Sequence, residues 1–214
     1  MKSRPQSAVR IALVVLSAAA ATAFAHQLIN PSFEDPGGKG ELWISDRASR
    51  WERWGAWFNR ETTWTPVHDG QCIMAYHHWK IQGDETAGIY QDIPNVKPDQ
   101  TYTFSVEAIR DKFTNAEYVE VRLEPFLGGE TLASQVYRMN DMKSGKWTTL
   151  EVSGSPKTAG IRVLVIVKPG RRSRRKGALK FDSTSLKTAD PSRTDGVDNP
   201  AYNHMYGTIR RRRR

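Results

Sequence analysis

Cysteine is almost absent. Cys72 is the only one in 214 residues, so no internal disulfide can form and stability must come from packing or from a metal. A buried strand position suits this thiol better than a reactive one. Long hydrophobic runs are missing beyond the opening residues, and no later segment is apolar enough for a membrane helix. After that opening, no stretch of a dozen residues has helical periodicity and no internal repeat is present, which argues against helical and solenoid architectures. Nucleophilic triads and phosphate-binding loops are also lacking, and His26, His68, His77, His78 and His204 have no metal-ligand spacing.

Positive charge is plentiful but confined. Of the formal net charge of +9, the first ten residues hold +3 and the runs 171–176 and 210–214 hold +5 each, which leaves the remainder at −4. A mildly acidic body with two local basic segments argues against nucleic acid as a partner.

At the N-terminus, Lys2, Arg4 and Arg10 precede a small and apolar run over 11–21, and Ala23-Phe24-Ala25 offers the small residues of a cleavage site. The run is short of the roughly 20 residues a membrane span needs, so residues 1–25 are expected to be a cleaved secretory signal and the product a secreted or periplasmic protein, not membrane-spanning. Residues 26–188 are expected to form one domain, and 189–214, rich in Asp, Pro, Ser, Gly and Asn before the arginines, a flexible basic tail.

Within the domain, alternation is clearest over 101–108, where Tyr102, Phe104, Val106 and Ala108 share one face. The run 118–124 turns Val119, Val121 and Leu123 inward and leaves Tyr118, Glu120, Arg122 and Glu124 on a polar face. Further strands are expected over 88–93, 131–139, 147–153, 161–167 and 179–186, punctuated by Gly128-Gly129, the 141–145 turn and Pro169-Gly170. Many short strands between turns predict an all-β fold of two antiparallel sheets packed face to face, a jelly-roll sandwich.

Five pieces of this pattern carry a resemblance. Asn30-Pro31-Ser32-Phe33-Glu34 opens the domain and Trp51-Glu52-Arg53-Trp54-Gly55 follows. Gly88-Ile89-Tyr90-Gln91-Asp92-Ile93 leads through a turn to Thr101-Tyr102-Thr103-Phe104, and Gly145-Lys146-Trp147-Thr148-Thr149-Leu150 and Leu179-Lys180-Phe181-Asp182 complete the series. In this order they resemble secreted carbohydrate-binding modules of the galactose-binding-like jelly-roll superfamily. The resemblance implies non-catalytic polysaccharide binding and a structural Ca²⁺. It implies that Glu34 and Asp182 meet as calcium ligands where the first and last strands join, with Asp69 as a lesser candidate. It also implies that Trp51, Trp54 and Trp147 belong to the core.

Six of the seven tryptophans, Trp43, Trp51, Trp54, Trp57, Trp64 and Trp79, fall before residue 80, a density beyond what one core uses. Trp57, Trp64 and Trp79 lie beside polar residues and are the candidate sugar-stacking rings. Tyr118, Glu120 and Arg122 are the candidate polar contacts, with Glu107 expected on the neighbouring strand. Glu120 and Glu124 stand about 13 Å apart by strand rise with Arg122 between them, which disfavours a glycosidase acid pair on this strand and leaves Glu107 with Glu120 as the alternative. The cluster Arg171, Arg172, Arg174, Arg175 and Lys176 suits an anionic ligand or an anionic polysaccharide. The alternatives to glycan binding are a cell-surface structural or adhesion protein and a glycan hydrolase or lyase.

Overall fold

The computed structural model describes residues 28–41, 44–55, 58–62, 66–77, 85–170 and 177–188. The expected signal over 1–25 and the expected tail over 189–214 lie outside these residues, as do Trp43, Trp57, Trp64, Trp79 and the basic cluster 171–176.

Among the described residues the chain forms strands and no helix. In chain order they are β1 (Pro36–Glu41), β2 (Ile44–Ala48), β3 (Glu52–Trp54), β4 (Phe58–Glu61), β5 (Ile73–His77) and β6 (Ala87–Pro94). The second half adds β7 (Tyr102–Arg110), β8 (Ala116–Pro125), β9 (Ala133–Arg138), β10 (Thr148–Gly154), β11 (Gly160–Pro169) and β12 (Ala178–Thr188). They make a seven-stranded sheet in the order β1-β2-β4-β5-β12-β7-β10 and a five-stranded sheet in the order β3-β6-β11-β8-β9. Every pairing is antiparallel.

Alternation places the core between the sheets. Tyr102, Phe104, Val106 and Ala108 of β7 meet Val119, Val121 and Leu123 of β8 and Val163, Val165 and Val167 of β11, all fully buried. Each large apolar side chain withdrawn from water in this way contributes about 1.5–3 kcal/mol. Strand β5 is buried on both faces, and its four residues before His77 read as a continuous apolar run, which periodicity alone does not identify as a strand.

The opening motif ties the start of the described chain to the core. Asn30, at φ 55, and Phe33, at φ 58, turn the chain through the left-handed region so that Phe33 drops into the core against Trp51, with ring centroids 5.2 Å apart. The Asn30 side-chain amide donates to the carbonyls of Asp35 and Ser49, and its carbonyl oxygen accepts from the Asp35 N–H. Trp51 Nε1 donates to the Asn30 carbonyl at 3.0 Å, while the Gln91 side chain both donates to the Ile29 carbonyl and accepts from its N–H. Trp51 is therefore core, as expected.

Candidate functional site

Strand register on the outward face of the smaller sheet arranges three parallel bands. Leu164 and Ile166 of β11 form the middle band, and they are 5% and 4% exposed although they point away from the core. On one side, Leu164 pairs with Tyr90 of β6, and Ile166 pairs with Gly88, which in turn pairs with Trp54 of β3. On the other side, Leu164 pairs with Arg122 and Ile166 with Glu120 of β8. The result is a groove of about 380 Å³ with an apolar floor, an aromatic flank and a charged flank, bordered by Thr86, Tyr118, Glu124 and Arg162.

Gly88 makes the aromatic flank possible. A Cβ there would stand 2.1 Å from the Trp54 ring, so the absence of a side chain lets the indole lie on the β6 backbone. Trp54 leans on Tyr90 at 6.2 Å and 46°, half-buried. The expectation that Trp54 belongs to the core is thus corrected: its strand is the edge of the smaller sheet, and its outward register puts it in the groove. Trp147 is also not in the core. It is half-buried and meets His68 edge-on at 5.2 Å.

Charge on the other flank is fixed in pairs. Arg122 Nε donates to Glu120 at 2.7 Å and its Nη1 donates to Glu124 at 3.2 Å. These bonds, the one to Glu120 foremost, push the guanidinium above its ordinary range. Arg162 grips Asp92 through two bonds, at 2.9 and 2.7 Å, and lies over the Tyr90 ring at 4.2 Å. Tyr118, Glu120 and Arg122, singled out in the sequence, therefore line one groove together. Trp57, Trp64 and Trp79 fall outside the described residues. Tyr90, Arg162, Leu164 and Ile166 were not singled out; the available signal was the lone arginine in the apolar run of β11.

Glu107 is not beside Glu120. It lies on the outward face of the larger sheet, pairing with Thr149 and Asp182, and its carboxylate accepts from the Thr149 hydroxyl. Strands β7 and β8 belong to different sheets, so two residues that both point away from the core end up on opposite sides of the sandwich.

Glu34 and Asp182 converge on one turn. Asp182 Oδ2 accepts from the N–H groups of His68 and Asp69 and Oδ1 from Ser183, while Glu34 Oε1 accepts from Gln71 and Cys72. Burial pushes the Asp182 carboxyl above its ordinary range against the pull of those donors. Asp69 instead accepts from the Ser32 hydroxyl. The hard oxygens suit Ca²⁺, and with about four lone-pair sites per carboxylate neither residue is saturated. Among the described residues no group of three or more His, Cys, Asp or Glu is placed to hold a metal.

A second polar cluster lies on the outward face of the larger sheet. His77 Nε2 and Glu61 Oε1 are 2.7 Å apart, and each side chain is 4% exposed. Glu61 pairs in register with Ile73, four residues from His77, so the two side chains lean toward each other along β5 to meet. Beside them Lys180 donates to Asp111 at 3.1 Å.

No family model matches the chain, and no curated protein matches it. Solved structures do. The module TmCBM61, in complex with β-1,4-galactotriose, aligns at a TM-score of 0.53 and 15% identity over 76% of this chain and 97% of that one. A structure of carbohydrate-binding modules of the β-sandwich superfamily, described for promiscuous specificity, aligns at 0.50 and 14% over 66% of this chain and 58% of that one. A cyclase from Fischerella sp. TAU aligns at 0.57 and 17% over 77% and 96% respectively. Enzymes thus share this architecture with binding modules, and likeness at this identity concerns architecture alone. The chain has the jelly-roll β-sandwich fold of carbohydrate-binding modules.

Proposed function

We propose that this chain is an exported protein that binds a carbohydrate, specifically a polysaccharide, in the groove of the smaller sheet without transforming it. The observation that carries the reading is the division of the groove into an apolar floor, the rings of Trp54, Tyr90 and Tyr118, and the hydrogen-bonding row Glu120-Arg122-Glu124. Sugar rings present axial C–H bonds to aromatic faces and hydroxyls to a polar rim, so these bands match a pyranose chain. Binding without hydrolysis is supported by the pairing of both groove carboxylates with Arg122 and by the position of Glu107 in the other sheet.

Trp57, Trp64 and Trp79 are proposed as further stacking rings, and Arg171, Arg172, Arg174, Arg175 and Lys176 as a contact for anionic polymers, on residue type alone. A structural Ca²⁺ on Glu34 and Asp182 is proposed from their convergence on one turn. Such an ion would neutralise the two carboxylates and tie the first strands to β12. Melting with and without chelator tests it: a lowered midpoint is expected, and an unchanged midpoint refutes the ion.

The test of the main reading is a glycan array with the wild type, Trp54→Ala and Tyr118→Ala. Glycan hits that both substitutions weaken at least tenfold, with the melting transition retained, are expected. Glycan-independent binding to cells, unaffected by either change, favours an adhesion protein. Reducing-sugar release abolished by Glu120→Gln favours a hydrolase.

A further inference from the structure

Resting on the reading of the groove as a sugar site, we infer that its ligand is an uncharged glycan, and that the groove discriminates against uronic and sulfated sugars. The four charged side chains that line it are two carboxylates and two guanidiniums, Glu120 and Glu124 with Arg122 and Arg162. Each guanidinium is already engaged by carboxylate, Arg122 by Glu120 and Glu124 and Arg162 by both oxygens of Asp92. Among the described residues that line the groove, an acidic sugar finds no surplus cation. At Arg122 it meets the carboxylates of Glu120 and Glu124, each 8% exposed, and at Arg162 that of Asp92, so either guanidinium comes with negative charge that repels it.

Neutral hydroxyls face a different balance. Each glutamate gives Arg122 one oxygen, which leaves the second oxygen to accept from a ligand hydroxyl, and the ion pairs fix those acceptors in place before the ligand arrives. Desolvating a hydroxyl costs far less than desolvating a carboxylate or sulfate. Among the described residues, Lys168 and Arg138 flank Tyr118 in register at the groove's end, beyond the row Glu120-Arg122-Glu124.

The decisive experiment is titration against glycans supplied in matched forms, each neutral backbone paired with its C6-carboxylate and 2-amino counterparts, in 50 and 500 mM salt. The neutral form is expected to bind at least tenfold tighter than the carboxylate form, with Kd changing less than twofold between the two salts. Glu124→Gln, checked for folding by its melting curve, is expected to narrow the gap at least threefold by removing a negative charge from the groove. Preference for the carboxylate form, lost in Trp54→Ala and weakened by salt, overturns this inference and leaves the sugar site standing. An unchanged gap in both Glu124→Gln and Glu120→Gln also overturns it. Binding to no glycan in any form overturns the sugar site and this inference with it.

Discussion

On the smaller sheet's outward face, Glu120, Arg122 and Glu124 border an open groove; on the larger sheet's outward face, Glu61 and His77 are sealed off with side chains only 4% exposed. Both faces carry ion-pairing side chains at outward positions, so the alternating pattern alone does not distinguish them. The difference is what surrounds them. Leu164 and Ile166 give the first row an apolar floor with an open groove above it, whereas burial encloses the second. Charged groups beside a solvent-filled groove are free to exchange water for ligand at modest cost, while enclosed ones serve chiefly to hold the fold.

That contrast is sharpened first by Asp182→Ala. The residue is fully buried and accepts from three amides, so its loss is expected to cost about 3 kcal/mol or more in urea unfolding. Glu61→Ala, which removes the carboxylate facing His77 Nε2, is expected to cost about 2 kcal/mol and to leave glycan binding unchanged. A binding loss in Glu61→Ala with stability intact would break the assignment of the larger face to structure.

Cys72 offers a pH-gated comparison near the same turn. Burial pushes its thiol from 9.0 up to about 11, followed by the effect of Glu34. Because the folded value lies above the unfolded one, this residue's contribution is intact below about pH 9 and is lost as pH rises through 11. Native protein at pH 8 is expected to resist alkylation, and Cys72→Ala to flatten the decline of the melting midpoint between those pH values.

On the open face, Trp54→Ala is expected to weaken glycan binding at least tenfold, a loss of about 1.4 kcal/mol or more, with a smaller loss of stability than Asp182→Ala. The smallest change is expected at Val136 on edge strand β9, 42% exposed, where Val136→Lys should leave stability within about 0.5 kcal/mol.

The strands from β6 onward were legible because their periods are clean: 101–108 and 118–124 alternate strictly, and turns of Gly and Pro separate the rest. The early strands were harder to read. β1 carries three glycines and no alternation and pairs only with the neighbouring β2, while β5, buried on both sides, gains its strand character from β4 and from β12 far along the chain. The groove was half legible, since Tyr118, Glu120 and Arg122 share one face by local geometry. Tyr90, Arg162 and Trp54 join them only through register.

The sequence by itself determined the all-β class and the polar row on β8, because both follow from neighbouring residues and side-chain period. Tertiary structure alone decided that Trp54 faces a groove and that Glu107 and Glu120 lie on opposite sides of the sandwich. Those outcomes depend on which strands become neighbours, and strand pairing joins residues separated by tens of positions, beyond the reach of any local pattern.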